Sequence, residues 1–176
     1  MNNVMDFTKL KAGDKISLSG TIFTARDKAH IFLLENNFDK IRNSIIYHCG
    51  PIINVRDNVV VAAGPTTSSR MNPYTPRLID KYNIRAIIGK GGMNKDVLSA
   101  LKGRAVYFAA VGGAGLVYAK NMKVKNVYKQ EFGMPEAIWE LEVKDFPVIV
   151  AMDSNGKSIY EDVLGRSRKQ YLNFIS

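Results

Sequence analysis

The sequence is poor in the residues that hold metals or covalent staples. Its 176 residues contain one cysteine, Cys49, and two histidines, His30 and His48. A single cysteine excludes an internal disulfide and cannot supply the three or four thiolates of an iron–sulfur cluster. Two histidines leave little for a histidine-rich metal site, so any metal the protein works with is expected on another chain. Long apolar runs are lacking as well. The longest, Val59-Val60-Val61-Ala62-Ala63 and the stretch 105–110, fall far short of the roughly 20 residues of a membrane span. Met1-Asn2-Asn3-Val4-Met5-Asp6 has no basic region followed by an apolar one, so no signal peptide is expected and the cytoplasm is the default location. There are no repeats, no low-complexity stretches and no block of five or six cations.

What is present is ordinary for a soluble globular protein: 46% hydrophobic and 23% charged residues. The length suggests a single domain over 1–176, with 166–176 an exposed or partner-contacting tail. A chain of this size buries roughly 70% of its unfolded surface and needs no staples. The net charge is +9, spread along the chain with a modest cluster at Arg166, Arg168 and Lys169. Basic domains can bind nucleic acid, but aromatics are not interleaved with the cations, which disfavours that use. An acidic partner, or attraction for a doubly charged small substrate, accounts for the charge equally well.

The pattern along the chain predicts a mixed α/β domain. Asp14 to Phe23 alternates polar and apolar with period two, a strand. Asp27 is placed to cap a helix from Lys28 to about Phe38. Ser44 to Cys49 reads as a short strand ended by Gly50-Pro51, and the valines of 58–63 predict a buried strand. Thr75-Pro76 marks a helix start, threonine capping and proline in the first turn. Arg85 to Ile88 is a strand, Asn94 caps a helix through Leu101, and Gly103 ends it. Ala105 to Val111 is a further strand, and Gly112-Gly113-Ala114-Gly115 turns into a short helix, Leu116 to Asn121. Strands are then expected at 124–130, 138–143 and 148–153, with a hairpin-type turn at Ser154-Asn155-Gly156-Lys157. A β-rich start, then βαβαβα, then strands implies a central sheet with several parallel strands. Loops at their carboxyl ends should gather Arg26, Thr66, Arg70 and Lys90 on one edge.

The chemistry is concentrated in two loops, Gly64-Pro65-Thr66-Thr67-Ser68-Ser69-Arg70-Met71 and Gly89-Lys90-Gly91-Gly92-Met93. Both join permissive glycine to one cation, and the first adds small hydroxyls, which suits a small anion at strand ends. Neither is a nucleotide loop. Lys90 is followed by Gly91 rather than a hydroxyl, and Ile84 stands where a phosphate-binding loop needs glycine. Gly113-x-Gly115 ends at Tyr118, so a dinucleotide fingerprint fails too, and these glycines read as tight-turn residues. Thr66 and Arg70, four apart, share a side if the loop enters a helix near Thr67. A hydroxyl beside a guanidinium fits a carboxylate; equally, Thr66 to Ser69 serve as caps of the next turn. Arg26-Asp27-Lys28-Ala29-His30 joins a cation, a carboxylate and an imidazole. His30 reads as a base, an orienting group or a structural histidine. His48 and Cys49 are neighbours on a strand and point to opposite faces, which argues against a thiol–imidazole pair.

Together, Gly20-Thr21-Ile22-Phe23-Thr24-Ala25-Arg26-Asp27-Lys28-Ala29-His30, Ile46-Tyr47-His48-Cys49-Gly50-Pro51-Ile52, 63–71 and 88–93 resemble the β subunit of iron–sulfur hydro-lyases, class I fumarate hydratase and L(+)-tartrate dehydratase. The blocks keep the family's order, and the resemblance covers about Lys11 to Val163. It implies a swivelling β/β/α-type domain with a mixed, partly parallel central sheet. It also implies a partner α subunit that holds a [4Fe–4S] cluster with one open iron acting as Lewis acid. The implied reaction is reversible loss of water from a 2-hydroxy dicarboxylate, in a site formed between the two subunits of a hetero-oligomer. By motif position Arg26, Arg70, Lys90 and Gly91 bind substrate. Thr66 is the acid/base hydroxyl, and Asp27 and His30 support the arginine or relay protons. Malate to fumarate is the first expectation and tartrate dehydration the second. The rival readings are a stand-alone anion- or nucleic-acid-binding module and a purely structural subunit.

Overall fold

The computed structural model describes residues 6–175. Residues 1–5, on which the expectation of no leader rests, lie outside them, as does Ser176. In chain order the elements are β1 (Lys15–Thr24), α1 (Asp27–Glu35), β2 (Ile45–Tyr47), β3 (Ile52–Asn54), β4 (Val59–Ala62), α2 (Thr75–Tyr82), β5 (Ala86–Gly89), α3 (Lys95–Leu101), β6 (Val106–Ala109), α4 (Gly115–Ala119), β7 (Met122–Tyr128), β8 (Ile138–Met152) and α5 (Ile159–Ile175). The fold is mixed α/β, as expected, and its main sheet is partly parallel. β1, β2, β5 and β6 run parallel, each paired to the next. β8 runs antiparallel to both β1 and β6, so these five strands close into a ring, and β7 adds to the free side of β8.

Alternation along the strands separates two cores. Residues facing into the ring (Leu18, Ile22, Tyr47, Ile88, Phe108, Leu141, Phe146) form one buried cluster. Their neighbours Phe23, Ile46, Ile87 and Tyr107 face outward and meet Leu33 of α1, Leu78 and Ile79 of α2 and Leu101 of α3 in a second. Phe146 is fully buried, with its ring edge-on to Tyr118 at 4.7 Å and Tyr47 at 5.4 Å.

Several expectations meet corrections. The strands expected at 138–143 and 148–153 are one strand. The polar Lys144-Asp145 between them is accommodated as a bulge, where Gly20 pairs with Val143 and Leu18 with Phe146. Asp145 takes a left-handed φ of 52°, and its N–H donates to Ser19 Oγ. Pro147 is tolerated because β7 pairs only up to Val143 and β6 only from Ile149, so β8 has a neighbour on one side there. The strand at Val59–Ala62 is buried only at Val60. It pairs only with β3 in a separate two-stranded sheet, leaving Val59 and Val61 exposed. Thr75 does not cap α2: it is the helix's first residue, and its hydroxyl donates to Met71 O at 2.9 Å. Nor does Asp27 cap α1; its carboxylate is turned to Arg70. Asn94 does cap α3, accepting from Val97 N–H at 3.1 Å. The stretch 166–175 is exposed throughout and forms part of α5, a helix of 17 residues whose Leu164, Tyr171 and Phe174 also face outward. Among the described residues no helix is long and apolar enough to cross a membrane.

Phe146→Ala, which empties the ring beside Tyr47 and Tyr118, is expected to cost about 3–5 kcal/mol in urea unfolding. Phe174→Ala, on the open face of α5, should stay within about 0.5 kcal/mol.

Candidate functional site

Parallel strands place their following loops on one edge. Arg26 follows β1, His48 follows β2 and Lys90 follows β5. The hydroxyl-rich loop reaches the same edge by a different route. It leaves β4, in the small sheet, and inserts as a short extended segment between the ends of β2 and β5. Thr66 N–H donates to His48 O at 2.7 Å, Lys90 N–H to Thr66 O at 3.3 Å, and Ser68 N–H to Lys90 O at 3.0 Å. Cys49 bridges Pro65 and Thr67 bridges Lys90. The chain then turns through a 3₁₀ helix, Ser68–Met71. The shared α-helical face expected of Thr66 and Arg70 is therefore not what joins them, since Thr66 precedes a helix of three residues per turn. The inserted backbone brings them to the site instead.

The cations are unequally partnered. Arg70 is ion-paired with Asp27 at the start of α1. Burial pushes the Asp27 carboxyl up, but the Arg70 hydrogen bond and charge outweigh it and hold the group below the usual carboxylate range. Arg26 Nε lies 3.3 Å from Glu136, whose other oxygen accepts from Lys28 N–H at 3.0 Å. Gly50 gives Arg26 its room: a Cβ there would lie 2.8 Å from the arginine's Cδ and guanidinium. Lys90 is exposed, and its stem passes over Gly112, where a Cβ would stand 3.3 Å from Cδ. Among the described residues neither Lys90 Nζ nor Thr66 Oγ1 is engaged in a hydrogen bond or ion pair. The edge thus carries three cations, two countered by carboxylates, and a free hydroxyl. Gly91, at φ +73°, turns the Lys90 loop, and Tyr160 at the root of α5 packs on Gly92.

Behind the cations lie two buried imidazoles. His30 Nδ1 donates to Arg26 O at 2.8 Å, which fixes its tautomer and leaves Nε2 without a proton. His48 Nδ1 lies 2.9 Å from Ser68 Oγ. The rings meet at a tilt with centroids 5.1 Å apart, and neither Nε2 has a partner among the described residues. Desolvation lowers His30 to about 4, against the pull of the Arg26 carbonyl and Asp27. Burial, aided by His30 and by the Arg70 charge, carries His48 well below its ordinary value. Both rings are neutral near pH 7, so they hydrogen-bond and pack rather than carry charge.

The geometry adds residues that sequence reasoning did not single out. Glu136 stands 110 positions from Arg26, and no local signal links them. Ser68 lay within the quoted loop only as a turn-capping residue. Tyr107 read as an ordinary strand residue. Cys49 is fully buried, next to Tyr47 rather than His48, and burial pushes its thiol up to about 12. Among the described residues no three His, Cys, Asp or Glu side chains converge as a metal site. With one inert thiol, this chain's residues do not fit an iron–sulfur cluster.

The family model described as Fumarase C-terminus matches residues 2–163. A Methanocaldococcus jannaschii protein provisionally named L(+)-tartrate dehydratase subunit beta is 52% identical over 171 residues, covering 90% of this chain and 87% of its own length. The L(+)-tartrate dehydratase subunit beta of Escherichia coli K12 is 34% identical, covering 88% of this chain and 81% of its own. A Geobacillus stearothermophilus protein provisionally named fumarate hydratase class I is 44% identical over 94% of this chain, which spans only 34% of that longer protein.

The buried imidazoles set a pH dependence. Unfolded, each takes up a proton near 6.5; folded, His30 resists until about 4 and His48 also until well below 6.5. Below 6.5 the unfolded chain therefore binds more protons, and the stability present above 6.5 is lost as pH falls toward 4. The slope should reach about 1.4 kcal/mol per pH unit for each ring. His30→Gln, which cannot titrate, should make the fall shallower. Urea midpoints measured across this range check it, and a flat profile for the parent chain would contradict the burial argument.

Proposed function

This chain belongs to the Fumarase C-terminus family, and from that membership and the geometry of its cation edge we propose that it is the β subunit of a two-subunit hydro-lyase. The reaction is reversible loss of water from a 2-hydroxy dicarboxylate. The observation that supports the reading is the main-chain bonding of Thr66 to His48 and Lys90, which sets the loop of Thr66 and Arg70 on the strand edge that also bears Lys90 and, after β1, Arg26. Malate to fumarate is the first assignment. Tartrate dehydration is the second, favoured by the names of the two β-subunit relatives.

In this reading the two substrate carboxylates meet the three cations. Lys90 is free to take one, and Arg70 takes a share by exchanging Asp27 for substrate. Gly91 presents the loop closely because its left-handed turn carries no side chain in the way. The proton to be removed sits on the carbon next to a carboxylate, and its loss spreads negative charge onto that group as an enediolate. Fixed cations stabilise this charge more than they stabilise the substrate's ground state. Thr66 Oγ1 is the proton acceptor. A threonine hydroxyl is a poor base in water; three neighbouring cations favour its anion and bring it into range. Asp27 and His30 act through the arginines, one on the Arg70 guanidinium and the other on the Arg26 carbonyl. The [4Fe–4S] cluster belongs, on this proposal, to a partner α subunit, because this chain offers no ligand set for it. A cytoplasmic hetero-oligomer is part of the same reading.

The test is anaerobic reconstitution with a cluster-bearing α subunit, assaying malate and tartrate side by side with each subunit alone as control. Activity should appear only in the mixture. Lys90→Ala and Arg70→Ala should each cut turnover by about 100-fold or more, with circular dichroism and complex formation unchanged. Near-normal turnover in both variants would reject the site. Salt-sensitive nucleic-acid binding by the chain alone, without activity in the mixture, would favour the binding module.

A further inference from the structure

We infer that a buried hydrogen-bond chain, His48–Ser68–Tyr107–Gly91, ties the loop bearing Thr66 and Arg70 to the loop bearing Lys90, making Ser68 and Tyr107 positioning residues for the substrate cations. Its consequence for substrate rests on the hydro-lyase reading; the tie itself does not.

The direction of the chain follows from its far end. Tyr107 Oη lies 2.8 Å from Gly91 O and 3.0 Å from Ser68 Oγ. The phenol has one proton and the carbonyl can only accept, so that proton goes to Gly91. Ser68 then donates to the phenol oxygen, and its own oxygen accepts from His48 Nδ1–H at 2.9 Å. Each hydroxyl both gives and takes, and each bond polarises the next. The groups involved are fully enclosed: His48, Ser68 and Tyr107 all have no exposed surface.

The space is built for this arrangement. A Cβ on Gly89 would come within 1.8 Å of Ser68 Oγ, so the glycine ending β5 is what lets the serine hydroxyl reach the tyrosine. Tyr107 projects from β6, a central strand paired on both sides, and is a fixed peg. The loops it joins have different origins, one entering from the small β3–β4 sheet and the other ending β5. Between them the main chain supplies only a few bonds, one stretched to 3.3 Å at Lys90 N–H. Gly91 has no side chain to hold it, and its carbonyl is the handle that Tyr107 grips. Phenylalanine and alanine would fill the same volumes without hydroxyls to satisfy, so the polar chain contributes placement rather than bulk. The imidazole at its near end packs on His30, whose Nδ1 holds the Arg26 carbonyl. All three cations thus rest on one buried network.

Tyr107→Phe keeps the ring and removes one hydroxyl; Ser68→Ala removes the other. Amide hydrogen exchange on the full chain, which needs no activity, should rise about tenfold in both 66–70 and 89–92 in each variant, beyond any change in β8. A response confined to one loop, or none, would overturn the tie. In the assembled enzyme KM for the dicarboxylate should rise about tenfold with kcat within about threefold, because ground-state placement is lost before chemistry. An unchanged KM in an active enzyme would overturn the positioning role. If the parent complex dehydrated neither malate nor tartrate while both loops loosened together, the tie would stand and the hydro-lyase reading would fall.

Discussion

The site depends on one insertion of backbone into a sheet edge. Residues 65–68 lie between the ends of β2 and β5, with Thr66 N–H on His48 O and Ser68 N–H on Lys90 O. Without that wedge the two neighbouring parallel strands would simply diverge into separate loops. With it, buried main-chain donors and acceptors are paired, and three segments far apart in sequence become a single surface. The cost of a misfitted polar group in such a place is a kilocalorie or more, so the wedge has one register. That register decides that the Thr66 hydroxyl stands free while Ser68 turns inward.

Charge follows from the same packing. Arg70 and Arg26 each have a carboxylate within reach, at Asp27 and Glu136, and Lys90 has none among the described residues. The edge thus keeps one cation that no carboxylate among the described residues counters, while both arginines are held by acids. The neutral state of the buried imidazoles matters here. Had His30 or His48 been charged beside Arg26 and Arg70, their repulsion would have opposed the cluster; desolvation keeps both neutral and usable as hydrogen-bonding scaffolding.

The closed ring of strands provides the rigidity behind this edge. β8 pairs along one side with β1 and along the other with β7 and then β6. A strand of 15 residues so engaged cannot be straight, and the bulge at Lys144-Asp145 together with the unpaired flank at Pro147 lets it curve. The candidate site lies at the carboxyl ends of β1, β2 and β5, where loop variation does not disturb the ring.

Much of this was legible in the chain itself. Period-two alternation marks β1; the Asn94 cap marks α3; the single cysteine falls short of the thiolates a cluster takes. The two loops stand out by composition, one with glycine, hydroxyls and a cation, the other with three glycines and a cation. These features are local, set by side-chain periodicity, by capping and by how many ligands of a given type exist. What only the tertiary structure decided is pairing across distance. Glu136 reaches Arg26 over 110 positions. Tyr107 reaches Gly91 and Ser68 from another strand. The two apolar runs of β8 join through a polar bulge, and of the three valines of β4 only Val60 enters the core while Val59 and Val61 stay exposed. Local sequence sets what each residue can do. Which partner it meets depends on strand order and ring closure, and these follow from the chain's whole set of buried contacts rather than from any window of it.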